Sequence, residues 1–173
     1  TFLIGKVLHA FIISAASENT GVDWASDEGS RTSKDLGIQY SIDYQGKDRV
    51  PVEIKTSRSF YPPKGIKDLS MYIEQLMVYM VAEKKTVGTL WILYLNLKDE
   101  MNRTAPGFRA YTVATTAAGL AGYKKQILAT TKQLKKALTQ KTPGNLPQCR
   151  DWLCTERMCP YWTVCPKGKG YKK

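Results

Sequence analysis

Apolar positions along the chain follow two different periods, and the change from one to the other marks out the elements. In Phe2–Ala16, residues Ile4, Val7, Leu8, Phe11 and Ala15 recur at helical spacing, which predicts a first helix. Asp68–Lys85 carries a second stripe, Leu69, Ile73, Leu76 and Met80, with Asp68 placed to cap it and with Gln75 and Tyr79 beside the stripe, four apart. Between the helices the period falls to two. Leu36–Tyr44 and Val50–Ser57 read as strands joined by the polar, Gly-containing turn Gln45–Arg49, so a hairpin is expected. Gly88–Leu97 is a continuous apolar run of the kind covered on both faces of a sheet, and Phe108–Val113 alternates as a further strand. Thr116–Lys141 reads as a long helix bearing six lysines, ended by Pro143 to Pro147, whereas Ser17–Asp35 is polar, mixed in charge and expected to be a loop. This order predicts an α/β fold, a mixed central sheet flanked by helices. One domain spans residues 1–142 and a cysteine-bearing segment follows in 143–173.

The Val50–Ser57 strand carries the most informative chemistry. Side chains alternate faces along a strand, so Glu53 and Lys55 leave one side while Val52, Ile54 and Thr56 leave the other. Charges on an otherwise apolar strand destabilise it unless they meet a partner or do chemistry. Pairing Tyr44 with Val50 across a five-residue connection sets Asp43 opposite Pro51 and Ser41 opposite Glu53, which puts Asp43 and Glu53 on one face. Two carboxylates and an ammonium converging there suit Mg2+ or Mn2+, hard cations that polarise phosphoryl oxygens. The plain alternative is a surface Glu/Lys pair on a half-exposed hairpin, a common outcome for so short a pattern.

Charge and cysteine placement sharpen this picture. The 173 residues are 43% hydrophobic, enough for one folded core, and the net charge is +11. Residues 1–100 hold 12 Lys and Arg against 13 Asp and Glu, while residues 101–173 hold 14 against only Asp151 and Glu156. Such an asymmetry points to a polyanion, with nucleic acid ahead of a membrane because no basic amphipathic anchor stands out; the alternative is a solubilising lysine face. No apolar run approaches a membrane span and no secretion signal is present, so an intracellular location is expected. The chain opens with Thr1 directly on helix-like sequence, which points to residues upstream of it. All four cysteines fall in Cys149–Cys165, spaced Cys149-x4-Cys154-x4-Cys159-x5-Cys165. One tight cluster reads as a metal site rather than a disulfide framework. Spacing alone does not fix the metal: Cys159-x5-Cys165 exceeds the short knuckle spacing zinc prefers, and a four-cysteine zinc site and two disulfides stay open beside an iron-sulfur cluster.

Taken together, Gly5-x3-His9, Asp43, Glu53-Ile-Lys55 and Gln75-x3-Tyr79 resemble, in order and placement, the motifs of the RecB-type branch of the PD-(D/E)XK nuclease superfamily. The cysteine tail is similar to that of the branch's iron-sulfur nucleases, including the AddB nuclease domain and the nucleases of CRISPR adaptation. The chain departs from them in three ways: all four cysteines are local, Cys154-x4-Cys159 is a long gap, and Tyr40 stands where a glycine often precedes the second-motif aspartate.

The resemblance implies a restriction-endonuclease-like core and metal-dependent hydrolysis of DNA, and the basic C-terminal part with its interleaved aromatics suits single-stranded DNA. It implies that His9, Asp43, Glu53 and the Ile54 carbonyl hold Mg2+ or Mn2+, that Lys55 positions the attacking water, and that Gln75 and Tyr79 support the site and meet substrate. Cys149, Cys154, Cys159 and Cys165 would bind a [4Fe-4S] cluster, and a helicase or integrase-type protein could be a partner. Against this stands a reading of another class. In it the chain is a nucleic-acid-binding module with a degenerate nuclease core and a structural four-cysteine site, and Tyr40 is the feature that leans that way. His9, the sole histidine, and the Gln75/Tyr79 pair also have ordinary structural readings.

Overall fold

The computed structural model describes residues 2–20, 29–46 and 48–140. Helix α1 (Phe2–Thr20) is followed by strands β1 (Arg31–Ser33), β2 (Ile38–Tyr40), β3 (Tyr44–Gln45) and β4 (Pro51–Ser57). A 3-10 turn at Ile66–Leu69 then leads into α2 (Ser70–Ala82), and β5 (Val87–Lys98), β6 (Thr104–Ala114) and α3 (Ala117–Gln140) complete the described chain. Two compact units are present, Thr1–Ile127 and Leu128–Lys173. In the second, the described part is the distal half of α3, where Lys132, Lys135 and Lys136 are exposed.

The first unit is built on a four-stranded sheet in the order β3-β4-β5-β6. β4 and β5 run parallel, with α2 in the connection between them, and the other pairs are antiparallel. This is the mixed sheet that the alternation of periods predicts. Even-numbered residues of β5 face α2: Leu90, Ile92 and Tyr94 pack with Leu69, Leu76, Tyr79 and Met80 in one core. Gly88 extends that face, because a Cβ there would meet Leu76 and Met80 at 3.0 Å, so the missing side chain lets α2 approach the strand. The opposite face is covered through Ile12 and Ile13 of α1, which pack with Tyr44, Val52 and Ile54, joined by Trp91 and Leu93. β6 lies at the sheet edge, where Pro106 removes no ladder bond from a further strand.

Four expectations need correction. Leu36–Tyr44 is not one strand: it breaks at Ser41–Asp43, and its first part, β2, pairs with β1 in a separate two-stranded sheet. β1 therefore arises inside the stretch read as loop, where a three-residue strand leaves too little alternation to detect. The β3–β4 register is also shifted: Tyr44 pairs with Val52 and Gln45 with Pro51, not Tyr44 with Val50. The loop is still odd, so the parity that puts Asp43 on the side of Glu53 is kept, and continuing the register brings the two acids opposite one another. Finally, Asp68 caps no α-helix. Its carboxylate accepts the Lys64 N–H at 3.0 Å, and α2 begins two residues later without a side-chain cap.

A polar clamp joins the small sheet to the end of α2. Arg31 Nη1 donates to Glu83 Oε1 at 2.6 Å and Arg31 Nη2 to Gln45 at 3.1 Å, while the Tyr40 hydroxyl donates to the same Glu83 oxygen at 2.8 Å. Burial alone would raise the Glu83 pKa, but the Tyr40 bond and Arg31 outweigh it and hold the carboxyl below its ordinary range. Replacing Glu83 by Ala leaves Arg31 and Tyr40 without this acceptor. We expect a loss of about 2 kcal/mol in unfolding free energy, read by urea denaturation.

Candidate active site

Backbone geometry brings Asp43 and Glu53 together. With Ser41–Asp43 out of the ladder, the Asp43 side chain takes up a backbone donor of the neighbouring strand: Ile54 N–H donates to Asp43 Oδ2 at 2.8 Å. That bond fixes the carboxylate and leaves Oδ1 directed elsewhere. His9 lies three and four residues before Ile12 and Ile13, the contacts that seat α1 on the sheet. Its Nδ1 stands 4.0 Å from Asp43 Oδ1, with both side chains about a quarter exposed (21% and 26%).

Glu53 is the one charged residue in the described core, at 0% exposure. Both its oxygens are buried. The Lys55 ammonium closes on Oε1 as an ion pair, the alternation of β4 having put both on the α2 side. Burial first, and the Asp43 charge second, push the Glu53 carboxyl up to about 7, with Lys55 and the Tyr79 hydroxyl pulling the other way. The Tyr79 hydroxyl accepts Gln75 Nε2–H at 2.7 Å, and burial followed by the Glu53 charge raises its pKa.

These facts bear directly on a cation. Among the described residues no three of His, Cys, Asp and Glu cluster as a ready-made metal cage. What the site offers is a fully buried carboxylate, a second carboxylate close enough to repel it, and one ammonium paired with the first. The carboxylates of Asp43 and Glu53 are hard oxygen donors, with His9 at their margin, and that donor chemistry fits Mg2+ or Mn2+. Because the raised pKa belongs to the native protein, the associated stability is full below the ordinary carboxyl range and fades as pH rises through about 7. In EDTA the thermal midpoint should therefore fall over that interval, and Glu53→Gln should flatten the fall.

The residues singled out from the sequence thus meet, apart from the cysteines. Asp43, Glu53, Ile54 and Lys55 adjoin through bonds of β4, His9 reaches Asp43, and the Gln75–Tyr79 pair bears on Glu53. Tyr40, the departure from the family pattern, donates to Glu83 and packs its ring 6.1 Å from that of Tyr79, so it braces α2 rather than blocking the site. Cys149, Cys154, Cys159 and Cys165 lie outside the described residues. Tyr72 was not singled out, yet its ring centroid is 5.7 Å from Lys55 Nζ. The available signal was its spacing, three and seven residues before Gln75 and Tyr79 on the same helix side. For Tyr79→Phe we expect cleavage to fall about tenfold with the thermal midpoint little changed, since Gln75 is exposed and can turn to water.

Comparison with known proteins bears on the fold and the family. Among solved structures, a phage-related exonuclease from Haemophilus somnus 129PT superposes with a TM-score of 0.57 at 11% identity, over 79% of this chain and 70% of that one. The protein SSO0001 superposes with a TM-score of 0.53 at 22% identity, over 94% of this chain and 69% of its own. Likenesses at such identities show the fold. No protein in the curated set matches the sequence. Residues 35–166 match the PD-(D/E)XK nuclease superfamily, a span that takes in Asp43, Glu53, Lys55, Gln75 and Tyr79. Since that match covers most of the sequence, the chain belongs to the PD-(D/E)XK nuclease superfamily.

Proposed function

We propose that this protein hydrolyses phosphodiester bonds of DNA at the Asp43–Glu53–Lys55 site, with Mg2+ or Mn2+ as cofactor and single-stranded DNA as preferred substrate. The observation that carries the reading is Glu53, a fully buried carboxylate held by the Lys55 ammonium and set beside a second carboxylate that repels it. Burying a carboxylate beside a second one is unfavourable in a structural role alone, whereas a cation between them offsets the repulsion. A divalent ion supplies Lewis acidity toward a phosphoryl oxygen and makes water a better nucleophile.

The chain's own groups do the rest. Asp43 is held in place by the Ile54 N–H, and Glu53 is held by burial, so the acidic pair need not reorganise. Lys55, released from Glu53, holds the attacking water and counters the charge that builds on the phosphoryl oxygens. Water attacks phosphorus in line, the bond to the 3′ oxygen breaks, and that oxygen takes a proton, leaving 5′-phosphate and 3′-hydroxyl ends. The basic balance of residues 101–173, 14 Lys and Arg against two acids, suits a substrate of high negative charge.

The RecB-type assignment and the [4Fe-4S] cluster on Cys149, Cys154, Cys159 and Cys165 belong to the same proposal, with the cluster as a staple rather than a reactant. Iron content and visible absorbance, both lost on replacing the cysteines by Ala, test it against zinc. An intracellular setting and a helicase or integrase-type partner complete the reading. The deciding experiment incubates labelled single- and double-stranded DNA with Mn2+, Mg2+ or EDTA, using the parent protein, Lys55→Ala and Glu53→Ala. Cleavage by the parent alone, and only with a cation, supports the reading; metal-independent binding without cleavage by any of the three identifies a binding module instead.

A further inference from the structure

A cleft of about 360 Å3 opens where β4 ends, between the Ser57–Lys64 segment, the start of α2 and β5. Its position follows from the strand that carries the acidic site. Glu53, Lys55 and Ser57 alternate onto one face of β4, and Ser57 lines the cleft. Tyr72, on its α2 wall, lies with its ring centroid 5.7 Å from Lys55 Nζ. The cleft therefore starts where the cation site stops.

Its walls are aromatic and its lip is held in shape. Tyr61 and Tyr72 line it, and Ile92 and Tyr94, both buried, form its β5 side. Ser57 Oγ accepts the Ser59 N–H at 3.1 Å, and Ser59 Oγ donates to the Tyr61 carbonyl at 2.7 Å. Lys98 pins the same segment from outside: its N–H donates to the Phe60 carbonyl at 2.9 Å, and its Nζ lies 5.4 Å from the Phe60 ring centroid and 6.0 Å from that of Tyr61. Asp68, the acid on the lip, is turned onto the Lys64 N–H. Yet Tyr61 remains 61% exposed. An aromatic side chain on a backbone held this way, and left mostly exposed, offers a stacking surface to a flat ligand.

We propose that this cleft is a subsite for one unpaired nucleobase, that of a nucleotide adjoining the phosphate at Glu53 and Lys55. The inference rests on the phosphodiester-cleaving reading of that site and gives it a substrate requirement. The volume is at the low end for small-molecule pockets, about 300–1,000 Å3, and suits one flat heterocycle rather than a base pair with its stacked neighbours. A base still stacked in a duplex cannot enter, so a single strand or a frayed end is selected by shape.

The test measures cleavage and binding on the full chain, with Mn2+ and with EDTA respectively. The substrates are a labelled thymidine oligomer and an oligomer of the same length made of abasic spacers. The parent should bind the thymidine oligomer at least about tenfold more tightly than the abasic one, and Tyr61→Ala should narrow that gap about tenfold by weakening thymidine binding alone. In cleavage the same variant should raise KM about tenfold and leave kcat within about twofold. Tyr61→Phe, which keeps the ring, should behave as the parent. Equal loss on both oligomers, or none on either, overturns the subsite. Cleavage that ignores the bases rejects the subsite while the nuclease reading stands; base-dependent binding without cleavage does the reverse.

Discussion

Glu53→Gln should abolish cleavage, by about a thousandfold or more, without weakening the metal-free protein. The size of the loss follows from removing a charge on which the whole reactive group depends, since groups that act as a unit fail together. The stability result follows from burial. Glu53 is fully buried and is repelled by Asp43, so a neutral side chain of the same shape removes an unfavourable charge. Lys55 loses its ion pair, but its side chain is one-quarter exposed (25%) and can turn to water. Thermal unfolding makes the two effects separable. Addition of Mn2+ should raise the midpoint of the parent and leave that of Glu53→Gln unmoved, because only a native state that binds the ion is stabilised by it. A Gln variant that still cleaves, or that responds to Mn2+ as the parent does, would contradict this account of Glu53.

The second large effect lies in the packing beneath the site. Leu76 is wholly buried on α2 among Met80, Leu90 and Ile92, and one of its methyls lies 3.0 Å from where a Gly88 side chain would begin. A contact this tight leaves little room for collapse after truncation. Leu76→Ala should therefore lie near the middle of the known range, at about 3 kcal/mol, visible as a lower urea midpoint with an unchanged slope. Tyr72, Gln75 and Tyr79 ride on the same helix, so the variant should also lose activity at temperatures below its own unfolding. A loss under about 1 kcal/mol would mean that α2 is not seated on β5 through this residue.

The fold was legible where the apolar period was long. The stripe Leu69, Ile73, Leu76 and Met80 and the run from Gly88 to Leu97 place α2 and β5 correctly, because burial against a single face imposes the pattern directly. The small elements were not legible. β1, β2 and β3 span three, three and two residues, too few for alternation to stand out from chance, and the partner of each strand is set by the break at Ser41–Asp43. The hairpin register was missed by two residues for the same reason, yet the site survives the error, since facing depends only on odd or even spacing.

The site itself was legible in kind rather than in contacts. Period two alone puts Glu53 and Lys55 on one face, and Gln75-x3-Tyr79 predicts a pair on one helix side. The bond from Ile54 N–H to Asp43, and the ion pair that makes Lys55 a stand-in for a cation, depend on where β3 ends and could not be read from spacing. Tyr61 and Tyr72 carry no motif, and only their place beside Lys55 gives them a role.

The central claim is that Asp43 and Glu53 hold one divalent ion. Diffraction from crystals soaked in Mn2+, recorded for anomalous scattering, tests it most directly. A manganese peak bridging the two carboxylates, with the Lys55 ammonium moved off Glu53 Oε1, is the predicted result; a Glu53 still paired with Lys55 and no peak beside Asp43 would contradict it.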